Sequence, residues 1–174
     1  MGPVQYVYLA VAVIIALIGL ARGYEKELGN SIIFMITIAL LGFIEARYEA
    51  QIASFAGRIF GVNNAATFLF LLYSLVFVLV VFSSYSGVTF NYGGTPLKGF
   101  GGQLLSLLVG IFNGYLIAGT LWHYANKFGY PLTGVTQLAP TQANALNYLP
   151  QTIFPDTLFW VVPAAILLIM RVRG

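Results

Sequence analysis

The chain has 174 residues, of which 59% are hydrophobic and 7% are charged, whereas about a quarter of the residues of a soluble domain are charged. Eight Lys/Arg and five Asp/Glu residues are too few to solvate a surface of this size, which excludes a soluble or disordered protein. The sequence has no cysteine and one histidine, which excludes thiolate sites, multi-histidine zinc sites and a bis-histidine haem held by this chain alone. The net charge of +3 comes from scattered residues, without the basic stripe of a protein that binds nucleic acid.

Four apolar stretches with the length of a membrane-spanning helix follow one another along the chain. A spanning helix needs about 20 mainly apolar residues, and the stretches cover residues 5–21, 28–44, 65–84 and 101–122. A fifth stretch, residues 157–170, contains Pro163 and spans only if it extends to about Arg173. We therefore expect an all-α integral membrane protein with four core transmembrane helices, an amphipathic interfacial helix and a fifth, C-terminal transmembrane helix.

The stretches divide the chain into three regions. Residues 1–125 form a four-helix membrane domain, residues 126–156 a polar loop that contains prolines, and residues 157–174 the fifth span. Because basic residues concentrate on the cytoplasmic side, the sequence favours a multi-pass topology with the N-terminus outside and the C-terminus inside. The five basic residues that then lie inside, against three outside, are Arg22, Lys26, Lys98, Arg171 and Arg173.

Residues 45–64, between the second and third stretches, have the period of an amphipathic helix. The apolar face carries Tyr48, Ile52, Phe55, Ile59 and Val62, and the polar face carries Arg47, Gln51, Ser54 and Arg58. This pattern predicts a helix that lies in the membrane interface. The alternatives are an extension of a neighbouring span and a helix that covers a partner protein.

Small residues recur along two of the apolar stretches. In the fourth stretch they stand at every fourth position, as Gly102, Ser106, Gly110, Gly114 and Ala118, and in the first as Ala12, Ala16, Gly19 and Gly23. Such spacing predicts close packing of helix backbones in lipid, against a partner helix in this chain or in another. Residues 19–24 and 110–115 both read Gly-x-x-x-Gly-Tyr, which suggests a weak internal repeat.

The sequence Gly19-x-x-Arg22-Gly23-Tyr24-x-x-Glu27 at the end of the first stretch, together with the glycine-rich fourth stretch, resembles the colicin V production protein (CvpA) family. The resemblance covers roughly residues 5–125, and Asn113 departs from it, because family members often carry a basic residue at this position. It implies a small protein of the bacterial inner membrane linked to toxin export, envelope integrity or stress. It implies no molecular mechanism.

Three groups of polar residues are candidate sites. Arg22 and Glu27 belong to a charged turn, which we interpret as a balanced turn at the membrane surface, with a proton or ion relay or a docking point as the alternative. Glu45 and Glu49 are interpreted as an interfacial polar edge, with a cation site as the alternative. His123 is a candidate ligand of a haem or of a pigment magnesium, or an ordinary interfacial residue. The sequence requires no cofactor, and contact with pigment, haem or lipid stays open.

The function expected from these features is structural. No catalytic constellation stands out, since a Ser-His-Asp arrangement would need His123 and Asp156 near one hydroxyl, so we expect no enzyme. We expect a structural or assembly protein of the bacterial inner membrane, or an accessory subunit of a photosynthetic, respiratory or secretion complex. Its partners would be membrane lipid and other membrane-protein subunits or copies of itself. The alternative is a small transporter or channel that works as a homo-oligomer.

Overall fold

A computed structural model describes residues 4–87, 99–132 and 140–173, and within these residues all regular secondary structure is helical, without a strand. The helices are α1 (Val4–Arg22), α2 (Tyr24–Phe60), α3 (Ala65–Ser86), α4 (Phe100–Lys127), α5 (Pro140–Leu146), α6 (Pro150–Ile153) and α7 (Leu158–Arg173), and a 3-10 turn (Val62–Asn64) precedes α3. The all-α expectation is confirmed. The predicted polar loop 126–156 contains the short helices α5 and α6, while its residues 133–139, like Lys98, lie outside the described residues.

Four of the helices, α1 to α4, are long and apolar enough to cross a membrane, so the chain is a membrane protein by the length and composition of its helices. The fifth apolar stretch forms α7, which has 16 residues and contains Pro163. At 1.5 Å per residue α7 is about 24 Å long, shorter than a hydrocarbon core of about 30 Å. It packs against α2 and is not among the four long helices.

The second span and the segment predicted to lie in the interface form one continuous helix. α2 has 37 residues and is about 55 Å long, so it exceeds the thickness of the hydrocarbon core. Residues 45–60 are therefore helical, as the periodicity predicts, but they extend the neighbouring span, which was one of the alternatives. α2 ends at Phe60, and the next residue, Gly61, has a φ of +86°, a conformation that favours glycine.

The centre of the bundle is formed by α2 and α4. Of the most apolar part of each helix, 61% of α2 and 50% of α4 is buried inside the protein, against 11% of α1 and 17% of α3. α1 packs on α4, and α3 and α7 pack on α2. Phe34 of α2, Phe77 of α3 and Leu116 of α4 are completely buried in the core. α1 and α3 thus lie at the periphery and keep most of their apolar surface exposed.

α1 and α4 run antiparallel and touch along the two seams of small residues. At one end Tyr8 stacks on Trp122. Just beyond the other end, the N–H of Tyr24, the first residue of α2, donates to Ser106 Oγ of α4 at 2.9 Å. A Cβ atom built on Gly19 would lie 2.6 Å from the Cα of Gly110. Such a distance leaves no room for a side chain, so the backbones approach closely because these positions are glycine.

The other residues of the two seams have different positions. A Cβ built on Gly114 would collide with the carbonyl oxygen of Ala12, and Gly102, Ser106 and Ala118 are buried on α4. Gly23, in contrast, is not a packing residue: a Cβ there would meet nothing within 4 Å. It lies between α1 and α2 with φ +91°, whereas Gly114 stands inside a helix. The two Gly-x-x-x-Gly-Tyr segments therefore differ in backbone conformation at their second glycine.

Candidate functional site

The turn between α1 and α2 carries the side chain of Glu27 into the interior of the bundle. The left-handed φ of Gly23 lets α2 begin at Tyr24, directly after the end of α1. Glu27 then lies in the first turns of α2, facing α3 and α4, and is completely buried. The expected surface turn is therefore wrong for Glu27, although Arg22 and Glu27 do stand on either side of the turn.

Both carboxylate oxygens of Glu27 have partners, and those of Oε2 belong to neighbouring helices. Oε2 accepts from Tyr85 Oη of α3 at 2.9 Å and from Asn113 Nδ2 of α4 at 2.8 Å. Oε1 accepts from Asn30 Nδ2 at 3.4 Å and lies 3.5 Å from Nε of Arg22. One carboxylate thus connects the four long helices.

A second set of hydrogen bonds holds the partners of Glu27 in place. Ser84 Oγ donates to Asn30 Oδ1 at 2.6 Å, and Ser31 Oγ donates to Asn113 Oδ1 at 2.7 Å. Asn113 Nδ2 also lies 2.9 Å from the backbone oxygen of Glu27. We call this set the Glu27 network; its members are Arg22, Glu27, Asn30, Ser31, Ser84, Tyr85 and Asn113. Among the described residues, no buried side-chain nitrogen or oxygen of the network lacks a partner.

Arg22 supplies the positive charge of the network. Its side chain is 19% exposed, its Nη1 donates to the backbone oxygen of Tyr85 at 3.0 Å, and its guanidinium lies 4.6 Å from the centre of the Tyr85 ring. An isolated buried carboxylate is very unfavourable, and here the adjacent guanidinium and several hydrogen bonds offset the burial of Glu27.

The network lies at membrane depth. Asn113 is halfway along α4, which extends from Phe100 to Lys127. Ionisable residues within membrane-spanning segments are costly, and they are candidates for function by default. The Glu27 network is therefore the principal candidate site of the described chain.

A second ionic cluster joins α2 and α4 at the other end of the bundle. Lys127 Nζ donates to Oε1 of Glu45 and, at 2.5 Å, to Oε2 of Glu49. All three side chains are about one quarter exposed. Glu45 lies 18 residues after Glu27 on α2, or about 27 Å, a distance close to the hydrocarbon thickness of about 30 Å. The two clusters thus lie at opposite ends of the contact between α2 and α4.

His123 and Asp156, the other residues considered in the sequence, have structural contacts in the described part of the chain. The imidazole of His123 packs edge-on against Tyr124, with ring centroids 5.3 Å apart. Asp156 accepts a hydrogen bond from the Leu158 N–H at 2.9 Å and so caps the start of α7. Among the described residues no group of three or more His, Cys, Asp or Glu side chains is arranged to hold a metal ion.

Sequence reasoning missed most members of the Glu27 network. Asn30, Ser31 and Ser84 are isolated polar residues within apolar stretches, and Asn113 was noted only as a departure from a family pattern. Asn113 lies in the middle of a predicted span, and a polar residue at that depth is the available signal. Their convergence depends on helix packing, which one sequence does not specify.

The fold and the site define a class, an all-α membrane protein whose four long helices are joined through the buried carboxylate of Glu27. Comparisons of the chain with protein-family models, with curated proteins and with solved structures give no match.

Proposed function

We propose that the chain is a non-enzymatic structural or assembly protein of the bacterial inner membrane. The observation that carries this proposal is that the hydrogen-bonding capacity of the Glu27 carboxylate is used within the chain itself. Its side chain is completely buried and both of its oxygens accept bonds from this chain's own residues. A carboxylate used in this way stabilises the bundle, whereas a catalytic or transporting carboxylate needs access to substrate, water or ions.

The periphery of the bundle supports a role in assembly. α1 and α3 expose apolar side chains along most of their length, including Leu9, Leu17, Leu75 and Leu79. In lipid, helices associate through the shape and packing of such faces, because burial of apolar surface gives little driving force there. A rigid core with two apolar flanks suits an accessory subunit that contacts other membrane proteins or copies of itself.

The resemblance to the CvpA family supports the same class and cellular location. Two residues of the resembling segment have distinct roles in the fold, since Gly23 forms the turn between α1 and α2 and Glu27 forms the centre of the buried network. In the topology proposed from the basic residues, the N-terminus is outside and this turn faces the cytoplasm.

The test is extraction of the full chain from its native membranes in a mild detergent, followed by size separation and protein mass spectrometry. We expect co-migration with other membrane proteins or a homo-oligomer. Gly114→Leu, which forces α1 away from α4, should abolish this association, whereas Gly101→Leu, at a position with open space, should not. Migration of the wild-type chain as a monomer would contradict the proposal. Solute flux in liposomes that is lost in Glu27→Gln would replace it with a transporter.

A further inference from the structure

An apolar cavity of about 450 Å³ lies between α1 and α4, apart from the Glu27 network. Its third wall is formed by the segment around α5, through Ala145, Tyr148 and Leu149. Two contacts hold this wall in place: Tyr115 Oη donates to the backbone oxygen of Tyr148 at 2.8 Å, and Pro150 packs tightly against Gly119. The cavity is therefore a built feature of the fold.

The length and direction of the cavity match one leaflet of a bilayer. Along α1 it extends from Gln5 to Ala16, and along α4 from Ile111 to Trp122. Each of these intervals corresponds to about 16 Å of helix, close to half of a hydrocarbon core of about 30 Å. Because both helices are membrane-spanning, the long axis of the cavity is parallel to the lipid chains.

One end of the cavity carries a polar group without a partner. Ala16 and Ile111 line one end, whereas Gln5 lies at the other. Between them the hydroxyl of Tyr115 donates to the backbone oxygen of Tyr148. Among the described residues, Oε1 of Gln5 is buried without a hydrogen-bond partner. None of the side chains that line the cavity is charged. An apolar cavity at this depth does not retain water, which needs two to four polar partners.

We propose that this cavity binds one acyl chain of a membrane glycerolipid. The tail extends toward Ala16 and Ile111, and the glycerol and ester region lies at Gln5, whose amide has both a donor and an acceptor for it. Three observations select this ligand: the length of one leaflet, the largely apolar lining, and an unpartnered polar atom at a single end. The uncharged lining means that the site recognises the chain and the glycerol region and does not distinguish the charge of the headgroup.

Trp122 lines the cavity and supplies a direct probe. The chain has one other tryptophan, and the variant Trp160→Phe leaves Trp122 as the only indole. We would titrate phosphatidylcholine with brominated acyl chains into this protein in detergent and follow quenching of its fluorescence. We expect saturable quenching at one lipid per chain, reversed by the same lipid without bromine.

Two further variants in the Trp160→Phe background locate the binding. Val13 lines the cavity, whereas Val7, also on α1 and also exposed, does not. Val13→Phe should weaken binding about tenfold, because its ring displaces the space of about two methylene groups, and Val7→Phe should leave it within about twofold. Quenching that rises without saturation, or equal binding in both variants, would overturn the proposal.

The chemical identity of the ligand has its own test. Native mass spectrometry of the wild-type chain should show one retained glycerolipid. Retention of an isoprenoid, or saturable quenching by a brominated fatty acid but not by brominated phosphatidylcholine, would exclude a glycerolipid chain as the ligand. None of these outcomes depends on whether the chain assembles with other proteins, so this site stands or falls separately from the proposed function.

Discussion

Arg22 at the end of α1 and Glu27 in the first turns of α2 form an ion pair across a single glycine turn, with Nε 3.5 Å from Oε1. The two residues are close in sequence, but Glu27 also connects them to helices that are distant in sequence. The other oxygen of Glu27 accepts hydrogen bonds from Tyr85 and Asn113, which lie 58 and 86 residues away. Formation of the α1–α2 turn and packing of α3 and α4 are thereby coupled.

Replacement of Glu27 should be the most damaging single change in the network. Glu27→Ala is expected to lower the free energy of unfolding by about 3–5 kcal/mol, because removal of one partner leaves a buried cation and several donors unsatisfied. The measurement is unfolding of the detergent-solubilised protein by titration with a denaturing detergent. The control is Glu25→Ala, two residues earlier in the same turn, where Oε1 has no partner among the described residues. Equal losses in the two variants would show that the burial of Glu27 contributes nothing.

Asn113 should be the second most important member of the network. Asn113→Leu removes the donor to Glu27 Oε2 and the acceptor of Ser31 Oγ, and we expect a loss of about 1.5–3 kcal/mol, typical of hydrogen bonds to charged groups. The exposed Asn147 offers the matched control Asn147→Leu. A small loss for Asn113→Leu would indicate that the side chain of Glu27 finds other donors.

The contact between α1 and α4 should be sensitive to one methyl group. Gly114→Ala places a Cβ against the carbonyl oxygen of Ala12 and should destabilise the protein by about 1–3 kcal/mol through overpacking. Gly101→Ala, on the same helix but facing open space, should be neutral or slightly stabilising, since alanine favours helix more than glycine. The measurement is the melting temperature of each variant in thermal unfolding. Similar melting temperatures for Gly114→Ala and Gly101→Ala would contradict the observed backbone contact.

The two ionic clusters should respond differently to salt. Lys127, Glu45 and Glu49 are partly exposed, so Lys127→Ala should cost about 1 kcal/mol or less, and this cost should shrink as ionic strength rises. The cost of Glu27→Ala should be independent of salt, because the carboxylate is shielded from solvent. The measurement is the free energy of unfolding of both variants at low and at high sodium chloride concentration. A cost of Glu27→Ala that changes with salt would count against the burial of Glu27.

The turn between α1 and α2 should tolerate no side chain at its glycine. Gly23 has φ +91° and ψ 149°, a region that other residues adopt at a cost of about 1–3 kcal/mol. Gly23→Ala should therefore destabilise the chain although its Cβ meets no other atom within 4 Å. A melting temperature unchanged from the wild type would show that the turn relaxes at no cost.

The helical spans could be predicted from sequence because their signal is local. Hydropathy over about 20 residues suffices to locate a spanning helix. α1 and α3 begin and end within two residues of the predicted bounds, whereas α4 begins where predicted and continues five residues further, to Lys127. The continuity of α2 was harder to predict. Its residues 45–60 contain no proline and a single glycine, Gly57, so nothing interrupts the helix where its apolar pattern changes.

The candidate site was less predictable, because it depends on long-range contacts. The charges of Arg22 and Glu27 mark the turn in the sequence, but the orientation of Glu27 follows from the φ of Gly23 and from the position of α4. Ser84 and Tyr85 lie at the end of an apolar stretch, where hydroxyl groups are common at a membrane boundary. Only the packing of α3 against α2 shows that they are partners of Asn30 and Glu27.

The continuity of α2 also fixes the rotation of this helix. The 18 residues between Glu27 and Glu45 make about five complete turns, so both carboxylates point toward the same side, where α4 meets them with Asn113 and Lys127. A rotation of α2 about its own axis, or a slip of one residue along α4, would break the polar contacts at both ends at once. The two clusters together therefore fix the register of α2 against α4. Apolar side chains alone would permit many other alignments of the two helices.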